Sequence, residues 1–201
     1  MKELTNYIQE KFELNKNTKI IYNYFPKTKW ELMKILQERL AKDENANLND
    51  INVSHITDMR ELFKNLDPYN IDISEWDVSN VTDMAYLLCN CRNFNSDLSR
   101  WNVSKSENMC AMFIGCENFN SDLSGWKVGK VINMHGMFYN CKNFNSDLSK
   151  WDVSKVTNME YMFSSCEKFN SDLSKWNINK VCNMRDMFDN CTSLINKPSW
   201  Y

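Results

Sequence analysis

Five tryptophans, Trp76, Trp101, Trp126, Trp151 and Trp176, recur at a spacing of 25 residues without a slip. No other feature restricts the chain as much. A unit this short cannot bury its own apolar stripe, so neighbouring copies must pile up and share one core. Upstream, Ile51 takes the tryptophan position, and Val53, Ile56, Met59, Leu62, Phe63 and Leu66 follow in phase. Six copies therefore run from Ile51 to Trp200, and Tyr201 stands where a seventh would open.

Each recurring position asks for a physical reason. Val53, Val78, Val103, Val128, Val153 and Ile178 lie two residues after the tryptophan position. Trp-x-Val is an in-out-in alternation of β-favouring residues and predicts a short strand. Met159, Met162, Phe163 and Cys166 follow at i, i+3, i+4 and i+7, the spacing of one helix face. Thr157 and Glu160 fit a capping box at the start of that helix. Phe169 and Leu173 then lead back through FNSDLS, whose Asn, Ser and Asp favour side-chain-bonded turns. One strand, one short helix and two corners per copy predict an α/β repeat solenoid, a right-handed stack of short parallel strands and short helices of the leucine-rich-repeat kind. Residues 51–201 form the six repeats. Residues 1–50 are expected to make an N-terminal cap of helix, strand and helix.

The cap is read from KELTNYIQEKF, with Leu4, Ile8 and Phe12 on one helical face; from KIIYNYF, a strand; and from TKWELMKILQERLAK. In the last segment Thr28 and Glu31 form a capping box, and Trp30, Met33, Leu36 and Leu40 can face one way. At the other end TSLINKPSWY loses the FNSD motif, and Pro198 blunts the edge.

Cys91, Cys116, Cys141, Cys166 and Cys191 share one repeat position, which Leu66 fills in the first copy. Leucine in place of cysteine marks a buried hydrophobe, so these are read as reduced structural thiols. Cys89, Cys110 and Cys182 lie off that position and are the ones open to oxidation. Asp72, Asp97, Asp122, Asp147 and Asp172 form a column of like charge, best reconciled if each carboxylate caps a turn. His135 shares its position with Cys110 one copy earlier and Glu160 one copy later. That is the one grouping with the residue types of a thiol hydrolase or a metal site, but no oxyanion donor accompanies it. The sequence thus predicts no catalytic residue, no metal and no cofactor.

The formal charge of −2 argues against a nucleic-acid protein. No apolar run is long enough to span a bilayer. The amino terminus shows no apolar leader core, which sets the expectation of a cytoplasmic protein.

The unit CKNFNSDLSKWDVSKVTNMEYMFSSC (141–166) resembles the rung of the BspA-like leucine-rich-repeat proteins of bacteria. FPKTKWELMKILQERL followed by LNDINVSHITDM is similar to the lead-in of that family. The resemblance implies a leucine-rich-repeat fold and a surface protein that binds host or matrix proteins. A second likeness, in size and in the missing leader, is to small phage-type inhibitors such as the inhibitors of CRISPR effectors.

Positions that vary beside the tryptophans are free to recognise a partner. Asp77, Asn102, Lys127, Asp152 and Asn177 follow the tryptophan position, and Arg100, Lys150 and Lys175 precede it. On strands they would form a mixed-charge binding face. The expected function is a non-enzymatic protein-binding module: a monomeric cytosolic inhibitor or adaptor acting on a larger protein or nucleoprotein effector. The alternatives are a cell-surface adhesin, and an RNA binder using the column Lys105, Lys130, Lys155 and Lys180.

Overall fold

The computed structural model of the chain describes residues 20–64, 66 and 70–201. The helix expected over KELTNYIQEKF lies outside the described residues. Helix α1 (Lys29–Leu40) is the one α-helix among them, and it opens where the sequence predicts. Thr28 is extended, at φ −129° and ψ 155°, and its hydroxyl accepts the Glu31 N–H at 3.2 Å. The Glu31 carboxylate reaches back one residue beyond the usual capping-box position and accepts the Lys27 N–H at 2.6 Å. Leu32 and Leu36 carry the buried face, joining Ile51 and Val53 in one continuous apolar cluster. Trp30 does not belong to that face: it is 71% exposed. The described residues of KIIYNYF, 20–25, form no strand; among them Tyr24 alone makes a parallel bridge, to Ile51.

From Ile51 onward the chain winds in coils of one repeat each. The α/β solenoid expected from the sequence is not what forms, because the described residues of the repeats contain neither strand nor helix. Register between coils is held instead by single parallel bridges in an unbroken line: Asp58 to Asp83, Asp83 to Asn108, Asn108 to Asn133, Asn133 to Asn158 and Asn158 to Asn183.

Beyond each bridge the amides alternate in purpose. In the third coil Met109, Ala111, Phe113 and Gly115 donate to the carbonyls of Asn133, His135, Met137 and Tyr139 in the next coil, at 3.0, 2.8, 3.0 and 2.8 Å. The alternate amides, Met112, Ile114 and Cys116, close four-residue turns onto Met109, Ala111 and Phe113. This pattern needs left-handed backbone. Tyr86, Ala111, Gly136 and Tyr161 have φ between 51° and 57°, and Asn90, Gly115, Asn140 and Ser165 have φ between 58° and 74°. A left-handed non-glycine residue costs about 1–2 kcal/mol, and the amide released from helical pairing is returned to the neighbouring coil. Here is why no helix forms over 159–166. Met159, Met162, Phe163 and Cys166 are all buried, as a helix face would be. The i, i+3, i+4, i+7 spacing is produced by successive tight turns. The expected capping box is absent too: the Glu160 N–H goes to Asn158 Oδ1 at 2.9 Å, and the Thr157 hydroxyl to the Ile132 carbonyl at 3.2 Å.

The Trp-x-Val segment likewise keeps its in-out-in alternation without becoming a strand. Turns close on either side, Trp126 N–H onto Leu123 at 3.0 Å and Val131 N–H onto Val128 at 2.8 Å. Each indole then donates across the core to the coil before it: Trp101 to the Ile73 carbonyl, Trp126 to Leu98, Trp151 to Leu123 and Trp176 to Leu148, at 2.9 to 3.1 Å. The rings of Trp126 and Trp151 lie 6.4 Å apart and within 1° of parallel. Trp200, not Tyr201, completes this column, stacking on Trp176 at 6.3 Å and donating to Leu173. The last coil is one residue shorter than the rest, having lost its FNSD.

FNSDLS divides its labour by residue. Phe144 stacks on Phe119 and Phe169. The Asn145 N–H bonds Asn120 Oδ1 at 2.8 Å, and the Leu123 N–H bonds the buried Ser146 hydroxyl at 2.8 Å. Asp147 caps its own turn through the Ser149 N–H at 2.9 Å. The cysteine column is reduced. Cys116, Cys141 and Cys166 donate their S–H to Leu88, Phe113 and Phe138 carbonyls at 3.1, 2.9 and 2.9 Å. Among the described residues no helix is long and apolar enough to cross a membrane.

Two measurements check this packing. Trp126→Phe keeps a ring in the stack but removes the indole's bond to the Leu98 carbonyl, which retains the Trp101 N–H at 3.1 Å; the unfolding free energy from urea titration is expected to fall by about 0.5–1.5 kcal/mol. A thiol reagent is expected to modify exposed Cys182 rapidly in the native protein. Buried Cys116, Cys141 and Cys166 should react only at the rate of unfolding.

Candidate functional site

All eight polar residues beside the tryptophans, Asp77, Arg100, Asn102, Lys127, Lys150, Asp152, Lys175 and Asn177, are exposed. The structure gives half of them a structural task. Oδ1 of Asp77, Asn102, Asp152 and Asn177 accepts the N–H of Ser79, Ser104, Ser154 and Asn179 at 3.0 to 3.2 Å. Arg100 is paired with Glu75 at 3.0 Å. With no strand beneath them, these residues stand on the corners of turns and make no sheet face. Lys105, Lys130, Lys155 and Lys180 are exposed as well, and Lys105 donates to Asn80 Oδ1 at 2.6 Å.

Glu160, His135 and Cys110 do come into register in successive coils: the Ala111 N–H bonds the His135 carbonyl and the Gly136 N–H bonds the Glu160 carbonyl, each at 2.8 Å. Burial pushes the Cys110 thiol above its ordinary value, with a Tyr86 hydrogen bond opposing more weakly, whereas activation needs a lowered one. Among the described residues no group of three or more His, Cys, Asp or Glu could hold a metal ion.

What His135 does help form is a recess of about 370 Å³ lined by Ile114, His135, Gly136, Tyr139 and Tyr161. Its origin lies in one left-handed column, which reads Tyr86, Ala111, Gly136, Tyr161 down the coils. Two small residues between two tyrosines leave a gap in that column. Tyr139 meets Tyr161 edge to face, 6.2 Å apart at 88°. His135 meets Tyr161 in the same manner, 6.1 Å apart at 79°. The Arg185 guanidinium lies over the Tyr161 ring at 6.0 Å. His135 Nδ1 is buried without a hydrogen bond, and Glu160 Oε2 stands 3.6 Å from it. Sequence reasoning grouped His135 with Cys110 and Glu160 but missed the recess. The signal was there, as the small pair Ala111 and Gly136 at a position that holds tyrosine in the coils on either side, and a helical reading of that segment hid it.

Fold and site together define a stacked-coil protein whose apolar columns are buried in the stack and whose residues beside the tryptophans vary from coil to coil. The sequence profile of the family DUF285, described as a Mycoplasma protein of unknown function, matches residues 31–140 and 122–200. The chain belongs to that family. No curated protein and no solved structure matches the chain.

The turn-capping aspartates set the acid behaviour. Asp97, Asp122, Asp147 and Asp172 are held below the ordinary carboxylate range, first by the backbone N–H of the serine two residues on. Asp58 is lowered to about 2, chiefly by its Arg60 hydrogen bond. A carboxylate with a lower pKa in the folded than in the unfolded chain adds stability above its unfolded value and loses it as pH falls through the folded one. The urea midpoint is therefore expected to hold from neutrality down to about pH 5. It should then decline between the ordinary aspartate value of 3.8 and about 2. Asp122→Asn keeps the capping oxygen, as Asn102 shows toward Ser104, and should flatten that decline without unfolding the protein.

Proposed function

We propose that the chain is a non-enzymatic protein-binding module whose anchor site is the recess at His135, Tyr139 and Tyr161. The observation that carries this reading is the recess itself, an aromatic-lined gap on a stack whose other apolar columns are filled. Tyrosine-rich pockets at fixed positions are where binding energy concentrates in protein interfaces. Ile132, 47% exposed, and Tyr139, 38% exposed, add apolar surface in the same coil. The raised Cys110 thiol speaks against a hydrolase built on the same column.

Two settings suit such a module. An inhibitor or adaptor inside the cell would cover part of a larger protein; an adhesin would meet a host or matrix protein. Membership of DUF285, a family associated with BspA-like surface repeat proteins, favours the adhesin, and recovery of the protein at the cell surface tests it. The polar line of Lys127, Lys150 and Lys175 is a second candidate surface, supported by its exposure.

Gly136→Tyr distinguishes the two surfaces. Tyr86 and Tyr161 already occupy this column at φ 57° and 55°, so the substitution suits the backbone and fills the gap. The variant is expected to keep its circular dichroism and to lose about tenfold or more in affinity for the native partner. Reversing Lys127, Lys150 and Lys175 to glutamate should weaken binding by less. The opposite ranking, in folded variants, would move the anchor to the polar line.

A further inference from the structure

Resting on that reading, we infer that the recess takes an arginine side chain presented by the partner protein. Its walls are two tyrosine rings set nearly at right angles, with an imidazole at right angles to one of them. Aromatic faces so arranged attract a cation through their quadrupoles. The molecule already displays the preference: Arg185 lays its guanidinium over the Tyr161 ring.

The back wall adds directional chemistry. The Glu160 carboxylate stands 3.6 Å from buried Nδ1 of His135. That carboxylate favours the tautomer with the proton on Nδ1. Nε2 then carries the lone pair. It makes no hydrogen bond within the described residues and is not among their buried unpartnered atoms. The imidazole is 34% exposed, so Nε2 meets solvent and can accept an N–H from a guest. Glu160 is held in place by the Asn183 amide at 2.9 Å. The charge of Arg185 is answered by Asp186 at 3.2 Å, which leaves the Glu160 charge to favour an incoming cation. A planar, multi-donor, weakly hydrated cation suits this combination of ring face and acceptor better than an ammonium.

The test uses the full chain and three blocked amino acids as probes: N-acetyl-arginine methylamide, the lysine analogue and the uncharged norleucine analogue. Chemical shifts of the Tyr139, Tyr161 and His135 rings are followed by NMR. The arginine probe is expected to bind saturably, on the order of millimolar for so small a ligand. Lysine should bind more weakly, and norleucine weakest. Glu160→Gln should weaken the arginine probe about fivefold with little effect on norleucine. His135→Phe, which keeps a ring but removes the acceptor, should weaken it by a similar factor, and Gly136→Tyr should abolish the shifts. Norleucine binding as well as arginine, no probe binding, or shifts that survive Gly136→Tyr would each overturn the inference. The binding-module reading would stand if Gly136→Tyr still cost affinity for the native partner. It would fall separately if that variant bound the partner normally.

Discussion

The structure depends on backbone amides that leave one coil and bond the next. In an α-helix every interior N–H is satisfied four residues back, and the element needs its neighbours only for apolar contact. Here every second amide after the bridge is committed to the following coil, as Met134, Gly136, Phe138 and Asn140 are to Asn158, Glu160, Met162 and Ser164. The left-handed residues that allow this would be a net cost in an isolated repeat. They become favourable only when a second coil is present to accept. Cooperativity between coils is thereby written into the backbone, and the period cannot drift: an inserted residue would break the whole set of pairings at once. The one shortened copy is the last, where a single residue is lost between Cys191 and Trp200 and the register is recovered at the indole.

Side chains repeat the same logic. The core contains more polar groups than its apolar columns suggest, and nearly all point along the stack. Indole N–H groups and thiols both reach the carbonyl 28 residues earlier, as Trp151 does to Leu123 and Cys166 to Phe138. A buried thiol with a carbonyl partner behaves as a hydrophobe that also satisfies an acceptor. The column holds leucine once, at partly buried Leu66 in the first coil, which packs against the same core. Burial raises Cys116, Cys141 and Cys166 well above the ordinary thiol value, so the same packing that uses them keeps them unreactive.

Much of this was legible in the sequence. The period, the buried columns, the capping by Asp97 or Asp122 and the reduced cysteines all follow from spacing and residue type. What failed was the conversion of spacing into secondary structure. Apolar residues at i, i+3, i+4 and i+7 report only that those side chains share a side; a helix and a run of four-residue turns both deliver it. The discriminating letters were Tyr86, Asn90, Asn140 and Ser165, whose left-handed backbone no propensity scale would assign to tyrosine or serine. The alternation around Trp151 and Val153 misled in the same way, since a corner flanked by turns buries alternate residues as a strand does. The polar residues beside the tryptophans were placed outside correctly, yet Asp77 and Asp152 turned out to be occupied in capping.

The recess follows from the same lattice. Because each column repeats in register, a side chain is surrounded by its own counterparts above and below, and a deletion in one coil is not healed by its neighbours. One small residue in an exposed column would leave a dent. Gly136, following Ala111 in its column, leaves a gap walled by His135, Tyr139 and Tyr161, and nothing in the stacking demands it. Gly136 is not required by its backbone either, since alanine and tyrosine adopt the same left-handed conformation in adjoining coils. A position that neither the fold nor the backbone explains is where a contact outside the chain becomes the simplest physical reason for the residue found there.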